Sequence, residues 1–284
     1  MTVWKENIMK NIVSAEWLVE NLDKEGVIVL DARSELGNPS YGSDAYKEGH
    51  IEGAVYVSVE DILTGEVKKH GGRHPLPDMD EFVMNINKLG VDDKSSVIVY
   101  DDGDLSNASR LWWMLKLIGK EDVRLLGSGI KKWIEKGYPV SKTIAYPNPG
   151  EKLTVKMNPS IEVSIEEVRE ALKDPKSAVI DSRTAERFRG EVEPIDKVAG
   201  HIPGAVNYPW TDLTEGERVP DLDELMDHFK PLKGYDQLIV HCGSGITGTV
   251  NVLFMEEIGL KPKLYVGGWS DWITYPENEV ATGM

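Results

Sequence analysis

Short runs of aliphatic and β-branched residues alternate along this chain with stretches whose apolar positions recur at helical spacing. Val27 to Leu30, Val97 to Tyr100, Ala178 to Ile180 and Leu238 to Val240 are brief and continuously apolar, the pattern of strands covered on both faces in a parallel sheet. Ala108 to Leu117 and Thr249 to Ile258 have the spacing of buried helices, and Gly119 and Gly259 stand where a left-handed residue closes a helix. Ser14 and Ser164 each precede apolar residues at helical spacing and are suited to be N-caps. Strands alternating with helices predict an α/β protein in which each parallel sheet is flanked by helices.

The alternation is itself repeated. Gly49-His50-Ile51-Glu52-Gly53-Ala54-Val55 returns 151 positions later as Gly200-His201-Ile202-Pro203-Gly204-Ala205-Val206, with six identities in seven positions. Upstream, Val27 to Arg33 is echoed by Ala178 to Arg183; downstream, Trp133 is echoed by Trp272. Two copies in the same order predict two similar domains, about 1–145 and 155–284. The segment Ser141 to Pro159, with Pro147-Asn148-Pro149-Gly150, reads as the connection, its linker about 146–154.

Composition narrows the function. A formal charge of −16 and a pI near 4.9 argue against nucleic acid or an anionic membrane as partner, so an anionic substrate needs a locally positive site. No apolar run approaches a membrane span, and Met1 to Trp17 lacks a secretory apolar region, so the cytoplasm is expected. The single cysteine excludes an internal disulfide and any cysteine-built metal cluster.

The informative difference between the copies lies at one position. Val99 to Leu105 aligned with Val240 to Ile246 sets Asp101 opposite Cys242. Cys242 leaves the end of a predicted buried strand and precedes a glycine-containing turn and a helix, the place where open α/β sheets bind ligands. Such a turn directs several backbone N–H groups and the positive end of a helix dipole to one point, which favours a thiolate nucleophile. Gly243 and Gly245 allow the curvature, and Ser244 and Thr247 add hydroxyl donors.

Together, Cys242-Gly243-Ser244-Gly245-Ile246-Thr247, Asp181-Ser182-Arg183, Arg187-Phe188-Arg189-Gly190, Gly200 to Ala205 and Gly267-Gly268-Trp269-Ser270-Asp271-Trp272 resemble the tandem-domain thiosulfate and 3-mercaptopyruvate sulfurtransferases of the rhodanese superfamily. The resemblance implies a non-catalytic first domain and a catalytic second one. It implies that Cys242 attacks the donor's outer sulfur, carries it as a persulfide, and passes it to cyanide, a small thiol or a protein thiol, with no metal or organic cofactor. Gly243, Ser244, Gly245, Ile246 and Thr247 would line the substrate loop, and Arg187 matches the family's substrate-binding arginine. Thiosulfate users typically place basic residues directly after the cysteine, whereas Cys-Gly-Ser-Gly resembles mercaptopyruvate users. Mercaptopyruvate is therefore the favoured donor, with thiosulfate, or a sulfur relay to a dedicated protein acceptor, as alternatives. One departure weighs against it: mercaptopyruvate enzymes often carry another arginine where this chain has Asp196 beside Lys197.

Other residues have plainer readings. Arg183 and Arg189 suit ion pairs with nearby acids such as Glu186 or Glu191, and the repeated His50 and His201 suit a shared turn. His50 with Asp44, and Arg73 in the insertion Thr64 to Pro77, are the first-domain groups that could reach the site. Trp112, Trp113, Trp133, Trp269 and Trp272 read as core and interface, with Trp269 also a candidate pocket wall. Dual-specificity phosphatases share a related fold and a cysteine loop, but require an arginine five intervening residues after the cysteine. Position 248 is glycine.

Overall fold

The computed structural model describes residues 9–216 and 218–284, so residues 1–8 of the segment examined for a leader lie outside the described part. The strands in chain order are β1 (Ile12–Val13), β2 (Val27–Asp31), β3 (His50–Ile51), β4 (Val55–Tyr56), β5 (Ser96–Tyr100), β6 (Val123–Leu126), β7 (Val140–Ser141), β8 (Ser177–Asp181), β9 (Val206–Asn207), β10 (Gln237–His241) and β11 (Pro262–Leu264). They form a parallel sheet ordered β1-β6-β5-β2-β4, a second ordered β11-β10-β8-β9, and a small antiparallel pair, β3 with β7. Each predicted strand is present, and each of β2, β8 and β10 runs one residue further, to Asp31, Asp181 and His241.

Alternate residues of the central strands pack on opposite faces. Val97 and Val99 join the largest apolar cluster, which also contains Ala178, Ile180 and Val240 of the second sheet, while Ile98 and Tyr100 face the outer side of the first domain. Val179 and Ile239 face the outer side of the second. One apolar layer thus joins the inner faces of both sheets through the helices Ser106–Leu117 and Gly248–Glu257, which pack on each other. Burial on both faces is why these strands read as unbroken apolar runs.

The helix ends behave as the sequence predicts. Ser14 Oγ accepts from Trp17 N–H, and Ser164 forms a reciprocal capping box with Glu167. At the closing ends, Lys120 N–H reaches Leu115 O and Leu260 N–H reaches Met255 O, across left-handed Gly119 and Gly259. The segment after β7 is tied down: Asp93 N–H donates to Lys152 O at 2.8 Å, and Lys156 N–H to Ile118 O at 2.9 Å. No helix among the described residues is long and apolar enough to cross a membrane.

Candidate active site

Strand β10 ends at His241, and the chain then turns through residues 242–247 into the helix Gly248–Glu257. Cys242, at the first position of that turn, is 1% exposed. Two features of the second domain shape the loop. Trp269 N–H and Ser270 N–H, in the helix Gly268–Trp272, donate to Cys242 O and Gly243 O, each at 2.8 Å. Gly245 has φ of +77°, and a Cβ there would lie 2.5 Å from Val266 O.

The first copy shows what such a turn holds. Asp101, opposite Cys242, is buried, and its carboxylate accepts from the N–H groups of Gly103, Leu105 and Ala108 at 2.9, 3.2 and 3.0 Å. Burial, with Asp104 nearby, pushes the Asp101 carboxyl up to about 7. In the second copy a thiol replaces the internal acceptor. No hydrogen-bond partner among the described residues accepts from the N–H groups of 243 to 247.

Cys242, Gly243, Ser244, Ile246, Thr247 and Arg187 share a cavity of about 320 Å³. Thr247 faces it at the N-terminal end of its helix and makes no side-chain cap bond. Gly245, expected in the substrate loop, is absent from the cavity wall. It turns away because its left-handed backbone packs on Val266, and its role is to set the loop's curvature. Trp269 is not a wall either: its Nε1–H donates to Val198 O and the Arg183 guanidinium lies over its ring. Trp210 lines the cavity instead.

The first domain closes the cavity with the insertion Thr64 to Pro77, which contributes Arg73 and His74 to the wall. His70 bonds Thr274 Oγ1 at 2.7 Å, Gly71 N–H donates to Asp271 at 2.7 Å, and Arg73 N–H donates to Ser270 Oγ at 3.1 Å. These anchors carry Arg73 and His74 to the cysteine loop. His74 Nδ1 lies 2.7 Å from Ser244 Oγ, and Arg73 Nη2 donates to the same oxygen at 3.3 Å. A Cβ at position 243 would stand 2.9 Å from Arg73 Nη2 and 3.7 and 3.8 Å from two Arg187 nitrogens. The lack of a side chain at 243 therefore leaves room for two guanidinium groups beside the residue after Cys242.

Burial, reinforced by Arg110 and Arg73, pushes His74 down to about 4. With the ring neutral, a hydrogen bond joins His74 Nδ1 and Ser244 Oγ, and Ser244 Oγ also accepts from Arg73. A histidine held low in the fold stabilises it above the unfolded value near 6.5, and that contribution is lost as pH falls towards 4. Accordingly, the rate at which a sulfur donor loads the protein should show no histidine inflection near pH 6.5. A pH–rate profile bending there would contradict a neutral His74.

Sequence reasoning did not single out Arg110. It is fully buried in the helix Ser106–Leu117 and donates to Gly245 O at 3.1 Å, to Leu63 O at 3.2 Å and to His74 O at 3.1 Å. It thereby joins the cysteine loop to the first domain. The available signal was a charge, one of two with Lys116, inside an otherwise largely apolar helical run.

Several other expectations change. Arg183 is fully paired, but with Asp181 at 2.6 Å and Glu193 at 3.2 Å rather than Glu186, while Arg189 pairs with Glu191 at 2.8 Å as read. His201 stacks on Phe188 and bonds its carbonyl at Nδ1; His50 does the same with Tyr46. Both histidines hold shared turns, so His50 does not reach the cavity. Asp44 is exposed beside Lys47.

Comparison with known proteins agrees with this architecture. Residues 14–136 and 164–275 each match the family described as "Rhodanese-like domain". The "Probable 3-mercaptopyruvate sulfurtransferase" of Pseudomonas aeruginosa is 38% identical over 280 residues, covering 96% of this chain and 98% of that one. The "Putative thiosulfate sulfurtransferase SseB" of Mycobacterium tuberculosis is 32% identical over 260 residues, covering 90% and 91%. The crystal structure of SseA from Escherichia coli, titled for 3-mercaptopyruvate sulfotransferases, superposes with a TM-score of 0.81 at 34% identity, covering 91% of this chain and 98% of that one. With two matched domains accounting for most of its length and relatives aligned nearly end to end, the chain belongs to the rhodanese family of sulfurtransferases.

Proposed function

We propose that the protein takes sulfur from 3-mercaptopyruvate onto Cys242 and passes it to an external thiol or cyanide. The observation that carries this reading is a loop of unspent N–H groups around the chain's only thiol, with two guanidinium groups beside Gly243. The thiolate of Cys242 attacks the donor sulfur, and the carbon–sulfur bond breaks with its electron pair going to carbon. Protonation of the resulting enolate releases pyruvate and leaves a persulfide on Cys242. The loop amides and the helix N-terminus hold the charge on sulfur, as the equivalent amides hold the Asp101 carboxylate in the first copy. Arg187 binds the donor's carboxylate. With a single cysteine in the chain, an external nucleophile must then remove the outer sulfur. Transfer to a dedicated protein thiol would use the same step.

Thiosulfate is the second reading, because two guanidinium groups also suit a compact dianion and one relative carries that name. Loading the purified protein with each donor and weighing it intact decides between them. The expected result is one added sulfur, removable by a thiol reductant, acquired faster from mercaptopyruvate. No adduct from either donor would overturn the mechanism. Arg187→Ala is expected to raise the KM for the donor by about 10-fold to 100-fold, in line with loss of a charge-assisted pair. An unchanged donor dependence would remove Arg187 from the site.

A further inference from the structure

We infer that Arg73, contributed by the first domain, is a second guanidinium for the donor's carboxylate, and that Asp196 is the positioning residue that holds it over Gly243. The inference rests on the reading of Cys242 and Arg187 above. Asp196 is nearly buried and bridges the domains, with one carboxylate oxygen on Arg73 Nη1 and the other 3.2 Å from Arg187 Nη2. It stands outside the wall of the cysteine cavity and lines the neighbouring one, whereas Arg73 lines both. The carboxylate therefore braces the guanidinium from behind instead of filling the space in front.

Asp196 is itself fixed. Its N–H donates to Glu193 at 3.0 Å, and Glu193 also accepts from Arg187 at 2.7 Å and from Arg183. These pairs leave donor capacity beside Gly243: Arg187 Nη1 makes no hydrogen bond among the described residues, and Arg73 Nη2, which carries two N–H groups, makes one, to Ser244 Oγ at 3.3 Å. A planar carboxylate set between two such groups can accept from both. An arginine at position 196 would compete with Arg73 for the same ground. In this chain the charge sign at 196 is reversed, and the cation arrives from the other domain.

The single cysteine permits a test independent of sulfur transfer. Iodoacetate and iodoacetamide alkylate a thiol alike but differ in one carboxylate, so the ratio of their rates at Cys242 reads carboxylate recognition. Arg73→Ala is expected to lower that ratio by about 10-fold or more and to raise the KM for mercaptopyruvate with kcat little changed. Asp196→Ala should lower the ratio in the same direction, and adding Asp196→Arg to Arg73→Ala should restore part of it. Equal loss with both reagents would reduce Arg73 to a structural tie and overturn the inference. A ratio that rises in Asp196→Ala would mean that the aspartate competes with the ligand, and would overturn its positioning role. Absence of sulfur loading in the unaltered protein, with the alkylation ratios as expected, would overturn the proposed reaction and leave the carboxylate site standing.

Discussion

Replacing Cys242 by serine is expected to abolish sulfur loading and to cut turnover by at least about 10³-fold, with the melting temperature almost unchanged. An alcohol is a far weaker nucleophile than a thiolate near neutral pH, and no persulfide can form on oxygen. Serine is close in size, and the loop is held by Trp269 and Ser270 through backbone oxygens that the substitution retains. Intact mass, steady-state turnover and a thermal melt of the same preparation test all parts together. Turnover above about one part in a hundred would show that sulfur travels by another route.

Gly245→Ala is expected to give the largest loss of stability of any single change in the loop, about 3 kcal/mol. The left-handed conformation at φ +77° costs a residue with a side chain about 1–2 kcal/mol, and the new Cβ would also meet Val266 O at 2.5 Å. That oxygen belongs to backbone and cannot swing aside. The alanine would press on Arg110 as well, which lies 3.0 Å from the same Cβ position. At about 2–4 °C per kcal/mol the melting temperature should fall by roughly 6–12 °C. Sulfur loading should fall with it, because the loop amides lose their common focus. Gly243→Ala is the control: its Cβ meets side-chain ends, Arg73 Nη2 at 2.9 Å and two Arg187 nitrogens at 3.7 and 3.8 Å, so stability should hold while donor affinity weakens. A melting temperature unaltered in Gly245→Ala would refute this account of the loop.

Much of this molecule is legible along the chain because its signals are local. Apolar runs flanked by turns became β2, β5, β8 and β10, and serine caps and closing glycines stand at their expected helix ends. The repeat survives divergence well enough that Arg33 and Arg183 clamp Asp31 and Asp181 in the same way, each at 2.6 Å. Comparison of the copies also isolates Cys242, since whatever both retain is architecture. Inside the loop the backbone departs from that alignment: Leu105 is left-handed in one copy and Gly245 in the other, one position out of step with the pairing of Asp101 and Cys242.

The sequence by itself determined the α/β class and the duplication, and it marked the cysteine at a strand end as the candidate centre of the chemistry. Each follows from spacing within a few residues or from comparing the chain with itself. Only the tertiary structure decided what surrounds that cysteine. Arg73 and His74 lie about 170 residues from Ser244 in the chain, and Arg110 lies 135 from Gly245. Which of many exposed charges is carried to a site across a domain interface depends on how two sheets bury their shared apolar layer. That packing is a property of the whole fold, and no local pattern records it.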